Sequence, residues 1–196
     1  MSKGNLFIVT GPSGAGKGTV LGRVMPSMED LHYSVSATTR VPREGEEDGV
    51  NYYFLRKEQF LEMIGQGAFL EHAEYVGNYY GTPAGPVDEC LNKGMDVVLE
   101  IEVQGALIVK QKRPEAKLVF IIPPSFSDLE LRLRSRGTET EETIAKRLEK
   151  AREEYQMADQ YDYIVLNDKV EKAADELRAI ILASRCAVGR RINLLR

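Results

Sequence analysis

Cysteine is scarce in this chain, with Cys90 and Cys186 the only two. Two thiols cannot build a disulfide framework or a cysteine zinc site. Histidine is equally scarce, and His32 and His72 stand too far apart for metal-ligand spacing. All four read as structural residues. No apolar run approaches the ~20 residues of a membrane span. The opening Met1 to Val9 carries too short an apolar stretch for a secretion signal. Positive charge is not in excess: 26 Lys and Arg face 30 Asp and Glu, a net charge of −4. That balance argues against a dominant nonspecific partnership with nucleic acid or an anionic membrane. Repeats and low-complexity tracts are missing too. A cytoplasmic enzyme or binding domain is what remains, and small phosphate ligands stay open to it because local arginines suffice to bind them.

The 196 residues, 43% apolar and 29% charged, suit one compact unit with room for an embedded subdomain. Short apolar runs alternate with helical segments. Leu6 to Thr10, Val97 to Val103, Leu118 to Ile122 and Tyr163 to Leu166 read as strands, since buried parallel strands show as largely apolar runs when helices cover both faces. Glu102 to Lys112, Ser125 to Arg136 and Val170 to Arg185 suit helices. Pro123-Pro124 stops one strand, and Ser125 is placed to cap the helix after it. The alternation predicts a three-layer α/β fold with a mostly parallel sheet.

Two stretches break the rhythm. Residues 36–82 are rich in tyrosine and glycine; Asn51 to Leu55 and Phe69 to Val76 read as antiparallel strands around a helix at Lys57 to Ile64, an α+β insertion. Asp128 to Gln156 is a highly charged helical hairpin around Gly137. It reads either as a mobile lid or as a solvated surface hairpin.

After the first strand come Gly11-Pro12-Ser13-Gly14-Ala15-Gly16-Lys17-Gly18-Thr19, a G-x-x-x-x-G-K loop that opens a helix. Its glycines let backbone N–H groups turn inward onto phosphate oxygens. The helix N-terminus adds partial positive charge, and Lys17 brings a full charge to the β- and γ-phosphates. The usual hydroxyl residue after the lysine is replaced by Gly18, with Thr19 next. The loop points to ATP, with GTP as the lesser option.

Further motifs follow in order: Ser34 to Arg43, Gly45-Glu46, Gly49 to Phe54, Phe69 to Ala73, Gly77 to Thr82, Gln104-Gly105, Pro123-Pro124-Ser125, Arg136-Gly137-Thr138 and Val165 to Asp168. Together with the loop they resemble the guanylate kinase family over residues 4–185. The resemblance implies a phosphate-loop nucleoside monophosphate kinase with a core (4–35, 83–125, 160–196), a GMP-binding subdomain (36–82) and a lid (126–159). It implies ATP + GMP → ADP + GDP with Mg²⁺, in purine nucleotide metabolism.

Carried onto this chain, the resemblance gives Arg40, Arg43, Tyr52 and Tyr80 to the GMP phosphate, with Tyr53 and Tyr79 as the rival core tyrosines. Glu71 would accept from guanine N1–H and N2–H₂, with Ser36 and Thr82 donating to O6. Adenine offers an acceptor where a carboxylate needs a donor. Glu100 and Glu102, expected on one side of a strand end, stand where the family commonly has aspartates. They would serve Mg²⁺ and guanine respectively, with Thr19 as a second metal-side group, directly or through water. Lys17, Arg136 and Arg147 would act on the transferring phosphoryl group. Arg132 would reach the ATP phosphates held by residues 11–19, and Asn167 and Asp168, at the end of a strand, would form part of the adenine edge of the ATP site. Arg134 and Lys146 read as salt-bridging surface residues. The alternatives are a catalytically inactive guanylate-kinase-like interaction domain and a related ribose bisphosphate kinase.

Overall fold

The computed structural model describes residues 2–135, 137 and 140–195. In chain order its elements are β1 (Leu6–Thr10), α1 (Lys17–Val24), β2 (Leu31–Tyr33), β3 (Ala37–Thr38), β4 (Tyr53–Phe54), α2 (Lys57–Gly65), β5 (Phe69–Tyr75), β6 (Asn78–Pro83), α3 (Ala84–Asn92), β7 (Asp96–Glu100), α4 (Val103–Lys112), β8 (Lys117–Ile122), α5 (Phe126–Ser135), α6 (Glu141–Tyr155), β9 (Tyr163–Leu166), α7 (Val170–Arg185) and α8 (Val188–Arg191).

A parallel sheet in the order β2-β7-β1-β8-β9 forms the centre. Every residue of β1 is buried. Phe7 and Val9 enter one core with Val20, Val24, Leu177 and Ile181, whereas Leu6 and Ile8 enter another with Val87, Leu91, Ala106 and Val109. Alternate side chains of one strand thus fill cores on opposite faces. The α/β architecture expected from the sequence is the one observed. Among the described residues, no helix is long and apolar enough to cross a membrane.

The insertion forms a second sheet, ordered β4-β3-β6-β5. Its own core holds Ala37, Phe60 and Phe69, with Tyr53 and Tyr79 packed against them. Phe60 stacks on Phe69 at 4.4 Å between ring centroids and on Tyr79 at 5.6 Å. One expectation is corrected here. The strand near Asn51 shrinks to β4 and pairs parallel, not antiparallel, with β3. The long connection through residues 39–52 carries the chain back to the same end of the sheet, which parallel pairing requires. The antiparallel partner of β5 is β6, joined to it by a tight turn.

The strand expected over Val97 to Val103 stops at Glu100. Glu102 is already the residue before the first turn of α4, with extended backbone at φ −75° and ψ 160°. Ser125 caps α5 as expected, accepting from the Asp128 amide at 3.0 Å. Arg134 pairs with Glu130 and Glu141, and Lys146 with Glu142, so both belong to the charged surface of the hairpin.

Candidate active site

β1 ends at the glycine loop, and α1 starts at Lys17. Gly16 caps that helix at φ +87°, and a Cβ there would lie 2.4 Å from the Asn167 side-chain nitrogen, so only glycine fits. The Lys17 ammonium donates to the Gly11 carbonyl at 2.5 Å and to the Pro12 carbonyl at 3.2 Å, which lays it across the loop. From α6, Arg147 donates to the Ser13 hydroxyl. From α5, Arg132 donates to the Asn167 carbonyl at 2.8 Å and to the Ala15 carbonyl at 3.4 Å. The hairpin therefore contacts the phosphate loop through two of the arginines singled out in the sequence. Arg136 lies outside the described residues.

Asn167 sits beneath the loop, not at an open edge. It is 2% exposed, and its Nδ2 donates to the Ala15 carbonyl at 2.7 Å. Its Oδ1 is buried and takes no hydrogen bond among the described residues. Its clearest role in this arrangement is to support the loop from below.

A cavity of about 590 Å³ opens between the inserted sheet and the ends of β7 and α4. Ser36, Tyr52, Glu71, Tyr80, Glu100 and Glu102 all line it. Glu71 on β5 faces Thr82 on β6 in register, and Thr82 Oγ1 donates to Glu71 Oε1 at 2.6 Å. Burial raises the Glu71 pKa above the ordinary carboxylate value, against the opposing pull of the Thr82 hydrogen bonds. Gly105 on α4 closes the other side: a Cβ there would stand 3.0 Å from Glu71 Oε2. Buried, held and walled in, this carboxylate is a fixed acceptor for a ligand with adjacent N–H donors.

Next to Tyr52 and Tyr80 of the cavity wall lies an arginine cluster. Arg40 donates to both oxygens of Glu46, at 2.9 and 2.8 Å, and to the Val41 carbonyl at 2.9 Å. Glu46 also accepts from the Arg43 amide at 2.7 Å. The Arg40 guanidinium, with the Arg43 amide, holds the Glu46 pKa down to about 2. Arg40 lies 5.5 Å from the centre of the Tyr52 ring, and Tyr52 meets Tyr80 edge-on at 6.2 Å. Three of the five guanidinium N–H groups are used by Glu46 and Val41. Tyr80 also interacts with the guanidinium, whose charge and planar fork suit an oxyanion. Tyr52 and Tyr80 thus meet at the arginine, whereas Tyr53 and Tyr79 pack in the insertion core.

Glu100 and Glu102 line one cavity but face different partners. Tyr33 donates to Glu100 Oε2 at 3.2 Å, and Lys150 donates to Glu102 Oε2 at 2.7 Å. Burial, with the Glu100 charge, raises the Tyr33 pKa, so the phenol stays protonated as a donor. Glu100 Oε2 stands 4.0 Å from where a Cβ on Gly18 would be, over the first turn of α1. Among the described residues, no group of three or more His, Cys, Asp or Glu could cage a metal. One carboxylate beside a phosphate loop nevertheless fits Mg²⁺, which keeps several waters and binds phosphate oxygens.

Sequence reasoning missed Glu46, Gly105, Tyr33 and Lys150 as parts of the site. Glu46 and Gly105 lie inside the motifs quoted above. Lys150 is three residues beyond Arg147, on the same face of α6.

The guanylate kinase family model matches residues 3–184. A guanylate kinase of Halalkalibacterium halodurans is 52% identical over 191 residues, covering 97% of this chain and 94% of that protein. One from Lactococcus lactis is 53% identical, covering 97% and 93%. The crystal structure of guanylate kinase from Anaplasma phagocytophilum superposes with a TM-score of 0.77 at 32% identity, covering 96% of this chain and 90% of that one.

Proposed function

We infer that this chain, which belongs to the guanylate kinase family and is an ATP:GMP phosphotransferase, binds ATP on the loop of residues 11–19 and GMP in the cavity beside Glu71. The observation that carries the assignment of the two sites is the buried Glu71 carboxylate, fixed by Thr82 and backed by Gly105. Guanine presents N1–H and N2–H₂ side by side to such an acceptor, while adenine presents N1 as a lone pair. Ser36 donates to O6. Thr82 already gives its one hydroxyl proton to Glu71 and so holds that carboxylate in place, a correction to its expected O6 role. Glu102 takes a further N–H. Arg40, Arg43, Tyr52 and Tyr80 hold the GMP phosphate.

In the transfer step, an oxygen of the GMP phosphate attacks the γ-phosphorus of ATP, the bond to the bridging oxygen breaks, and ADP leaves. The attacking oxygen is already ionised at neutral pH, so the step needs no side-chain base. Catalysis rests on positioning and on positive charge. Lys17, Arg147 and Arg136 supply that charge, Arg132 and Asn167 keep the loop in shape, and Asp168 serves the adenine edge. Glu100 would hold Mg²⁺, with Thr19 or water where Gly18 lacks a hydroxyl. Bound there, the ion would supply charge neutralisation at the phosphates. Residues 36–82 form the GMP-binding unit, 126–159 the lid and the rest the core. The enzyme acts in the cytoplasm, in purine nucleotide metabolism.

The test is a turnover panel with ATP over GMP, dGMP, AMP, IMP and ribose bisphosphate. AMP is expected to be at least ~10³-fold poorer than GMP in kcat/KM, because a buried acceptor left facing an acceptor is heavily penalised. Equal turnover of AMP and GMP overturns the assignment of Glu71, and preference for ribose bisphosphate overturns the acceptor.

A further inference from the structure

Lys150 reaches from the helical hairpin into the acceptor cavity. Among the described residues lining that cavity, Glu71, Glu74, Glu100 and Glu102 contribute carboxylates, and Lys150 is the only lysine or arginine. Its ammonium donates to Glu102 Oε2 at 2.7 Å. Glu102 Oε1 takes no hydrogen bond among the described residues. On the same face of α6, Arg147 touches Ser13 of the phosphate loop. One helix face therefore contacts both nucleotide sites.

We propose that Lys150 is a positioning residue for guanine recognition, holding one oxygen of Glu102 so that the other is presented to the base. The proposal rests on the reading of this cavity as the GMP site. A glutamate side chain has three rotatable bonds, and an unheld one would lose that freedom on meeting the base. The ion pair completes much of that ordering beforehand. Because the pair crosses from α6 to the start of α4, it links the hairpin to the occupancy of the acceptor site.

The side chains of the pair are 48% and 71% exposed, so the pair contributes little to fold stability. The expected effect is on GMP alone. Lys150→Met should raise the GMP KM about 3-fold, the scale of a partly exposed charge pair. It should change kcat less than about 2-fold and leave the ATP KM and Tm in place. Lys150→Arg should restore the GMP KM. In a Glu102→Gln background, Lys150→Met should have no further effect, as coupling through one shared partner requires. An undiminished Lys150→Met effect in that background overturns the proposal, since the lysine would then attract the nucleotide directly. An unchanged GMP KM in Lys150→Met overturns it as well. Glu71→Gln, measured alongside, separates the two levels. If Glu71→Gln weakens GMP while Lys150→Met does not, only the lysine proposal fails. If neither does, the assignment of the cavity fails with it.

Discussion

Thr82 donates its hydroxyl to Glu71 across the β5–β6 hairpin at 2.6 Å, with both residues buried. Burial raises the Glu71 pKa above its ordinary value of 4.5. Folding therefore disfavours the carboxylate form: the stability associated with this group is full below its unfolded pKa and is lost as pH rises through the raised one. Glu71→Gln should accordingly match or exceed wild-type Tm at neutral pH. It should still raise the GMP KM by about 10- to 100-fold, because an amide end turned on a guanine donor leaves buried groups unpaired. The wild-type GMP KM should climb as pH falls, with its inflection above the usual carboxylate range, and Glu71→Gln should lack that inflection. A substantial drop in Tm without a change in GMP KM would make Glu71 a folding residue only.

Gly105 offers a second separation of stability from binding. It lies inside α4, where alanine is the better helix former by about 1 kcal/mol. A Cβ there meets Glu71 Oε2 at 3.0 Å and its Cδ at 3.3 Å, so the carboxylate must shift by a few tenths of an ångström. Gly105→Ala should hold or raise Tm and weaken GMP about 10-fold, on the scale of one misaligned buried hydrogen bond. Calorimetric titration with GMP, alongside thermal melts, checks both signs. Unchanged affinity would mean that the Glu71 side chain relaxes freely.

What the sequence made legible follows from the range of the forces involved. The strands β1 and β9 coincide with the runs Leu6 to Thr10 and Tyr163 to Leu166. The β1 run was readable because burial on both faces leaves Leu6 to Val9 uniformly apolar. The parallel β3–β4 pairing was not legible, since it depends on where a long loop returns and not on the two residues paired. The site residues in glycine-rich turns and charged motifs stood out as patterns. Lys150 did not. On α6 it resembles Lys146, yet Lys146 pairs with Glu142 within the helix while Lys150 crosses to Glu102. A flexible charged side chain has its partner chosen by tertiary packing, which local spacing does not encode.

Glu46 determines how Arg40 meets a phosphate. The carboxylate is fixed at one end by the Arg43 amide at 2.7 Å and engages Arg40 through both oxygens. Such an anchor orients the guanidinium before the nucleotide arrives. Glu46→Gln should raise the GMP KM about 10-fold, the scale of one charge-assisted hydrogen bond, and leave the ATP KM near wild type. Tighter GMP binding in the variant would show instead that the carboxylate competes with the phosphate for Arg40.

The donor side makes the opposite kinetic prediction. Lys17 spans the Gly11 and Pro12 carbonyls, and Arg147 reaches Ser13 from the hairpin, so both cations lie at the loop that would hold the transferring phosphoryl group. Charge gathered there counts most when negative charge shifts toward the leaving ADP oxygen, a change absent from the ground state. Lys17→Met should therefore lower kcat by on the order of 10²-fold or more. The GMP KM should change little, because the acceptor cavity is lined by other residues. Arg147→Ala should likewise reduce kcat more than it weakens GMP, since an interaction strengthened only in the transition state appears in kcat. Single-turnover measurements at saturating nucleotides isolate the chemical step from product release. A Lys17→Met enzyme with near wild-type single-turnover rate would leave the lysine as a loop brace, satisfied by the two carbonyls it already holds.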